Sequence, residues 1–258
     1  MVIKEQLERV RVLRLANPPA NVLNRRLLDT LRGEIEDAAA DHSVRALVLA
    51  SSYPRYFSAG LDLTELTSQA KDKQAEHFHA LLDVYRSLRA VAKPTVAAIG
   101  GSALLGGWIL AMACDFRILS EDGRISLAEI RFGMSPTAAL LLRLREISSS
   151  PTLVKEMALK GRTLRSEEAL AGGFVDRVVP NEQVQEEAMK EARGLAKGSL
   201  SAYAAVKRAL WRRAPGDDEA VWRESREDFE SLFATAEAQE GIAAMRDKRR
   251  PRFAGGVE

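Results

Sequence analysis

Cysteine and histidine are nearly missing from this 258-residue chain, which has one Cys (Cys114) and three His (His42, His77 and His79). A lone cysteine excludes internal disulfides and any cysteine-based zinc cluster. It also suits a reducing compartment, so a cytoplasmic location is expected. His77 and His79 stand two residues apart, and on a helix such positions point roughly 200° away from each other. The pair cannot chelate one ion there; both are expected on a solvated helix face, and no metal site is expected. HExxH, Walker A, GxGxxG and GxSxG patterns are absent, which disfavours zincins, P-loop NTPases, dinucleotide enzymes and lipase-like hydrolases. Charge of one sign is lacking too, since 38 basic minus 36 acidic residues leaves +2. The short basic run Lys248-Arg249-Arg250-Pro251-Arg252 reads as a solvated tail, and no nucleic-acid partner is expected. MVIKEQLERV has no apolar h-region and FAGGVE no lipidation or peroxisomal signal, so no targeting segment is expected.

One uncharged window, Pro94 to Cys114, is about as long as a bilayer span requires. It contains Pro94 and the glycines 100, 101, 106 and 107, and each glycine costs a helix roughly 1 kcal/mol relative to alanine. A buried strand, a glycine loop and a buried helix account for the same composition, and no membrane association is expected. With 46% hydrophobic and 29% charged residues, the chain is a soluble globular protein of enzyme size. It is long enough to bury roughly 70–75% of the surface its unfolded form exposes.

Strand and helix patterns alternate. Arg9 to Leu15 mixes apolar residues with arginines, as a strand with one solvated face would. Leu27, Leu28, Leu31, Ile35 and Ala38 recur at helical spacing within Arg25 to Ala40. ALVLA (46–50) and TVAAI (95–99) are the continuous apolar runs of parallel strands covered on both faces. Phe116 to Leu119 resembles them, and helices are expected at Lys73 to Ala92 and Gly107 to Cys114. This rhythm predicts an α/β fold. After a strand at Phe174 to Val179 come helices at Glu182 to about Ala196, Ser199 to Arg213, Asp217 to Ala236 and Gln239 to Lys248. The division is a core over 1–195 and a helical region over 196–258. The second unit carries Leu210, Trp211, Trp222, Phe229, Leu232 and Phe233, and needs a core or another subunit to cover them.

Two segments carry chemistry. Phe57-Ser58-Ala59-Gly60-Leu61-Asp62-Leu63 and Gly100 to Gly107 (GGSALLGG) each follow a buried strand and lead into a helix. Small residues leave backbone N–H groups free to approach a ligand oxygen. Two such donors converging on one carbonyl would stabilise an enolate or tetrahedral intermediate, by ~3–4 kcal/mol per donor. Two ordinary strand-to-helix turns would have the same composition.

FSAGLDL (57–63), KPTVAAI (93–99), Gly106-Gly107 running to Asp115, EIRFG (129–133), Gly161-Arg162 and ALAGGFVDRVV (169–179) together resemble the enoyl-CoA hydratase/isomerase (crotonase) superfamily. The match spans about residues 10 to 180. The resemblance implies a spiral of repeated ββα units, with C-terminal helices that build homotrimers or homohexamers. It implies an acyl-CoA substrate whose thioester oxygen is held by the N–H groups of Leu61 and Gly106. Ala59, Gly60, Leu61, Asp62 and Leu63 would line the CoA channel, while Lys207, Phe233 and Lys248 would touch the phosphates or adenine by approximate position. No cofactor beyond the CoA of the substrate is implied.

Hydratases of the superfamily carry two glutamates that hold one water. At the corresponding positions this chain has Ile109 and Glu129, so the pair is broken. Dienoyl-CoA isomerases add a carboxylate further on, where this chain has Thr137. One glutamate beside an apolar residue is similar to the Δ3,Δ2-enoyl-CoA isomerases. The resemblance thus implies that Glu129 moves a proton from C2 to C4 of a 3-enoyl-CoA, with Ile109 lining the acyl site. Two alternatives stay open. One is a hydratase or dehydratase whose second acid–base group is Glu65, Glu121 or an unusual water site; the other is a non-catalytic acyl-CoA-binding protein. A Clp-type serine protease would need a histidine base near the loops.

Overall fold

The computed structural model describes residues 1–68, 71–211 and 219–253. The Ala214-Pro215-Gly216 break, the Trp211 side chain and the end of FAGGVE lie outside the described residues.

Six strands form the larger sheet: β1 (Val2–Leu7), β2 (Val10–Leu15), β3 (Ala46–Ser51), β5 (Thr95–Ile99), β7 (Phe116–Ser120) and β10 (Arg177–Val179), neighbouring one another in that order. Only β1 runs antiparallel to its neighbour; β2 onward are parallel. A second sheet joins β4 (Tyr56–Ser58), β6 (Ser102–Leu104), β8 (Arg124–Ser126) and β9 (Thr163–Arg165). Each of β3, β5 and β7 is followed by a short strand of this second sheet. The chain therefore winds as repeated strand pairs, which is the ββα spiral expected.

Both faces of the parallel strands are buried because their side chains alternate. Leu13, Leu15, Leu47, Leu49, Ala97 and Ile99 point into the main core. Val12, Ala46, Val48, Val96 and Ala98 point the other way, onto Val184, Ala188 and Ala192 of helix α8 (Val184–Ala196). This corrects the expectation of a solvated face on β2. Arg11 is buried there, its guanidinium held by Gln6 and Asp41.

The other helices are α1 (Arg25–Ala40), α2 (Leu63–Ser68), α3 (Lys71–Ala90), α4 (Gly106–Ala113), α5 (Ala138–Ile147), α6 (Pro151–Lys160), α7 (Ser166–Ala171), α9 (Leu200–Trp211), α10 (Glu219–Phe233) and α11 (Ala236–Arg246). The uncharged window resolves into β5, β6 and α4, every residue of α4 being buried. No helix among the described residues is long and apolar enough to cross a membrane. The strand expected from Phe174 is shorter: Phe174 and Val175 are buried ahead of it, and pairing begins only at Arg177. Trp222, Phe229, Phe233 and Ile242 of α10 and α11 join the main core. Their large apolar faces pack on the strand-and-helix spiral of the same chain.

Candidate active site

Parallel pairing of β4 with β6 sets the two loops side by side. A methyl group on Gly60 would sit 3.0 Å from Leu105 Cβ and 3.3 Å from the Gly106 nitrogen. Gly60 has φ +98°, a conformation that favours glycine. Its carbonyl accepts from the Leu23 N–H at 2.8 Å. Across a trans peptide the C=O and N–H point in opposite directions, so the Leu61 N–H turns away from Leu23. The same reasoning applies at α4. The Leu105 carbonyl accepts from the Ile109 N–H at 3.0 Å, which turns the Gly106 N–H out of the helix start. Neither N–H has an acceptor among the described residues. Leu105 itself sits at φ +50°, ψ −122°, a strained conformation for a residue with a side chain, costing about 1–3 kcal/mol.

Leu61 and Gly106 both line a cavity of about 600 Å³. Its walls are mostly apolar: Leu63, Leu66, Phe78, Leu81, Ile109, Phe132, Met134, Phe229 and Phe233 contribute. Among the described residues three charged ones reach it, Asp62, Glu129 and Arg246. Asp62 is occupied, because its Oδ1 caps α2 by accepting from the N–H groups of Thr64 and Glu65. Arg246 is exposed at the end of α11 and pairs with Asp247 at 2.9 Å.

Glu129 differs from both. It opens a 3₁₀ turn, Glu129–Phe132, after β8, and is only 6% exposed. Its Oε2 is buried without a hydrogen-bond partner among the described residues. Burial disfavours the charged form and pushes its pKa up to about 8, so the group can give or take a proton near neutral pH. Two uncommitted backbone donors, a carboxyl group of tunable charge and apolar walls on one cavity suit a reaction that generates negative charge on a carbonyl oxygen.

Of the residues singled out from the sequence, Ala59, Leu61, Asp62, Leu63, Gly106, Ile109, Glu129 and Phe233 lie on this cavity. Gly60 is just behind it. Lys207 is elsewhere: it is 5% exposed and its Nζ donates to Asp115 Oδ2 at 2.8 Å. That oxygen also accepts from Thr95 and Tyr203, so Lys207 anchors α9 to the large sheet and is not available to a ligand in the cavity. Lys248 is exposed beyond α11 and does not line the cavity. Glu65 and Glu121 do not line it either. Phe78, Phe229 and Arg246 do, without having been picked out as site residues. Phe78 and Phe229 stack at 3.7 Å between ring centroids, across a separation in sequence that no local pattern reveals. His77 and His79 also depart from expectation. His77 is buried at 1% exposure, and His79 is half-buried, 3.4 Å from Glu230.

A spiral of paired strands, with one apolar cavity at which two loop amides and a buried carboxyl group meet, defines an α/β protein of the crotonase type. The chain belongs to the enoyl-CoA hydratase/isomerase family, whose model matches residues 5–256. It is 35% identical over 256 residues, 98% of each chain, to 2,3-dehydroadipyl-CoA hydratase of Escherichia coli K12. It is 33% identical over 252 residues, 95% of each chain, to a probable enoyl-CoA hydratase of Bacillus subtilis. Among solved structures, human mitochondrial Δ3,Δ2-enoyl-CoA isomerase superposes with TM-score 0.89 at 28% identity, covering 96% of this chain and 97% of that one.

Proposed function

We propose that this protein shifts the double bond of a 3-enoyl-CoA to give the trans-2-enoyl-CoA. Glu129, as carboxylate, takes a proton from C2, and the C–H electrons delocalise into a dienolate. The Leu61 and Gly106 N–H groups donate to the thioester oxygen as its charge develops. The carboxylic acid then returns the proton to C4, so no water is consumed. The observation that carries this reading is a single uncommitted carboxyl group on the cavity, with Ile109, 1% exposed, where the superfamily resemblance would put a second. Hydration remains the competing reading, since the E. coli and B. subtilis relatives are named hydratases. It requires a second group to hold and activate water. Assembly into a homotrimer or homohexamer belongs to the same proposal. Val206 and Leu210, 59% and 67% exposed on α9, would be covered by it.

The test is to incubate the protein with 3-hexenoyl-CoA and with crotonyl-CoA, using wild type, Glu129→Gln and Ile109→Glu. Isomerisation by wild type, lost at least about 10³-fold in Glu129→Gln, with weak hydration that rises in Ile109→Glu, is the expected pattern. Wild-type hydration as fast as isomerisation would reverse the assignment.

A further inference from the structure

His77 lies on α3 inside the core, with its Nε2 2.8 Å from the Leu23 carbonyl oxygen. A carbonyl oxygen only accepts, so Nε2 carries the proton. The other ring nitrogen, Nδ1, is buried without a hydrogen-bond partner among the described residues, 4.0 Å from Glu65 Oε2. Hiding a polar ring with one nitrogen unsatisfied is unfavourable, and a leucine would fill such a place without that cost. What the imidazole adds is its bond to Leu23.

Leu23 is the hinge of the first loop. Its N–H donates to Gly60 O at 2.8 Å and its carbonyl accepts from the Asp62 N–H at 3.1 Å. It forms a parallel bridge with Leu61. Leu23 therefore grips the chain on both sides of Leu61, and His77 grips the carbonyl that does half of this. Glu65 completes the arrangement by accepting the Arg25 N–H at 3.0 Å, tying α2 to the start of α1 just after Leu23.

We propose that His77 is a positioning residue: its Nε2–H fixes the Leu23 carbonyl and, through it, the direction of the Leu61 N–H toward the thioester oxygen. This rests on Leu61 being an oxyanion donor, as proposed above. A donor displaced by a fraction of an ångström still lets substrate bind through the apolar walls, but it stabilises the transition state less. The effect belongs in kcat more than in KM.

The experiment compares His77→Leu, His77→Asn and His77→Gln in the full chain. Glutamine places an amide nitrogen as far from Cβ as Nε2; asparagine is one atom too short. Expected are kcat values down about 10- to 100-fold in His77→Leu and His77→Asn, with KM within about threefold, and recovery to within about threefold of wild type in His77→Gln. A second readout needs no turnover: the thioester C=O stretch of bound hexanoyl-CoA by difference infrared spectroscopy. It shifts to lower frequency in wild type and His77→Gln and less in the other two. A frequency that depends on His77 in this way supports the positioning role even if wild type does not isomerise 3-enoyl-CoA. Equal kcat and equal carbonyl frequency in His77→Gln and His77→Asn, with only thermal stability differing, would reduce His77 to core packing. An unshifted carbonyl in wild type would overturn the proposal outright, because no donor would then be aimed at that oxygen.

Discussion

If Glu129 is the base proposed above, it links activity and stability through one proton. A base with its pKa raised to about 8 makes kcat/KM climb about tenfold per pH unit below that value and level off above it. A profile flat from pH 6 to 9 would mean that another group takes the proton. The linkage to folding has the opposite sense. Between its unfolded value of 4.5 and its folded value of about 8, the native state binds more protons than the unfolded state, so stability falls as pH rises through this window. Glu129→Gln removes the term. Urea denaturation should find the variant equal to wild type near pH 4.5 and more stable at pH 8, by on the order of a few kcal/mol. Glu129, Leu61 and Gly106, which line the cavity, could be picked out as candidates from the sequence because each stands within a short motif. Lys207 and His77 were not, since exposure is settled by neighbours far along the chain. The two-residue offset of His77 and His79 does imply that one of them turns inward whenever the other faces solvent, a clue that goes beyond excluding a shared metal.

Helix α11 holds the turn that carries Glu129, and it does so through missing side chains. A methyl group on Gly241 would lie 2.1 Å from the Phe132 carbonyl oxygen, and one on Gly133 would lie 2.9 Å from the backbone of Glu237. Gly133 has φ +69°, which lets the 3₁₀ turn end against the helix. Gly241→Ala should therefore cost roughly 1–3 kcal/mol of stability and lower kcat by moving the carboxyl group. Gly194→Ala, in α8 with open space around it, is the contrast: it should stabilise by about 0.5–1 kcal/mol. Chemical denaturation of the two variants checks both; equal effects would show that α11 is not seated as closely as described. Parallel strands and amphipathic helices could be read from the sequence by period, yet the role of Gly241 could not, because it depends on a turn more than a hundred residues earlier.

At the scale of the whole molecule, the C-terminal helices complete the cavity. Phe229 stacks on Phe78 at 3.7 Å and packs on Phe233 at 5.3 Å, closing one wall. Phe229→Ala should destabilise by about 3–5 kcal/mol and raise kcat/KM for decenoyl-CoA relative to hexenoyl-CoA, as space opens behind the acyl site. An unchanged chain-length preference would place the acyl tail elsewhere. Val206→Asp with Leu210→Asp addresses assembly: sedimentation mass should fall to that of a single chain if α9 is covered by other subunits. An unchanged mass would put the contact on another face.

The sequence by itself determined the α/β alternation, the two loops that end at helix starts, the superfamily and the single candidate base beside Ile109. These depend on periodicity, glycine placement and motifs a few residues long, which are local properties. Only the tertiary structure decided that the carboxyl group of Glu129 is buried without a partner, that Lys207 serves an ion pair, and that His77 reaches Leu23. Each of those depends on which distant segments become neighbours, and burial and charge are properties of that neighbourhood before they are properties of a residue.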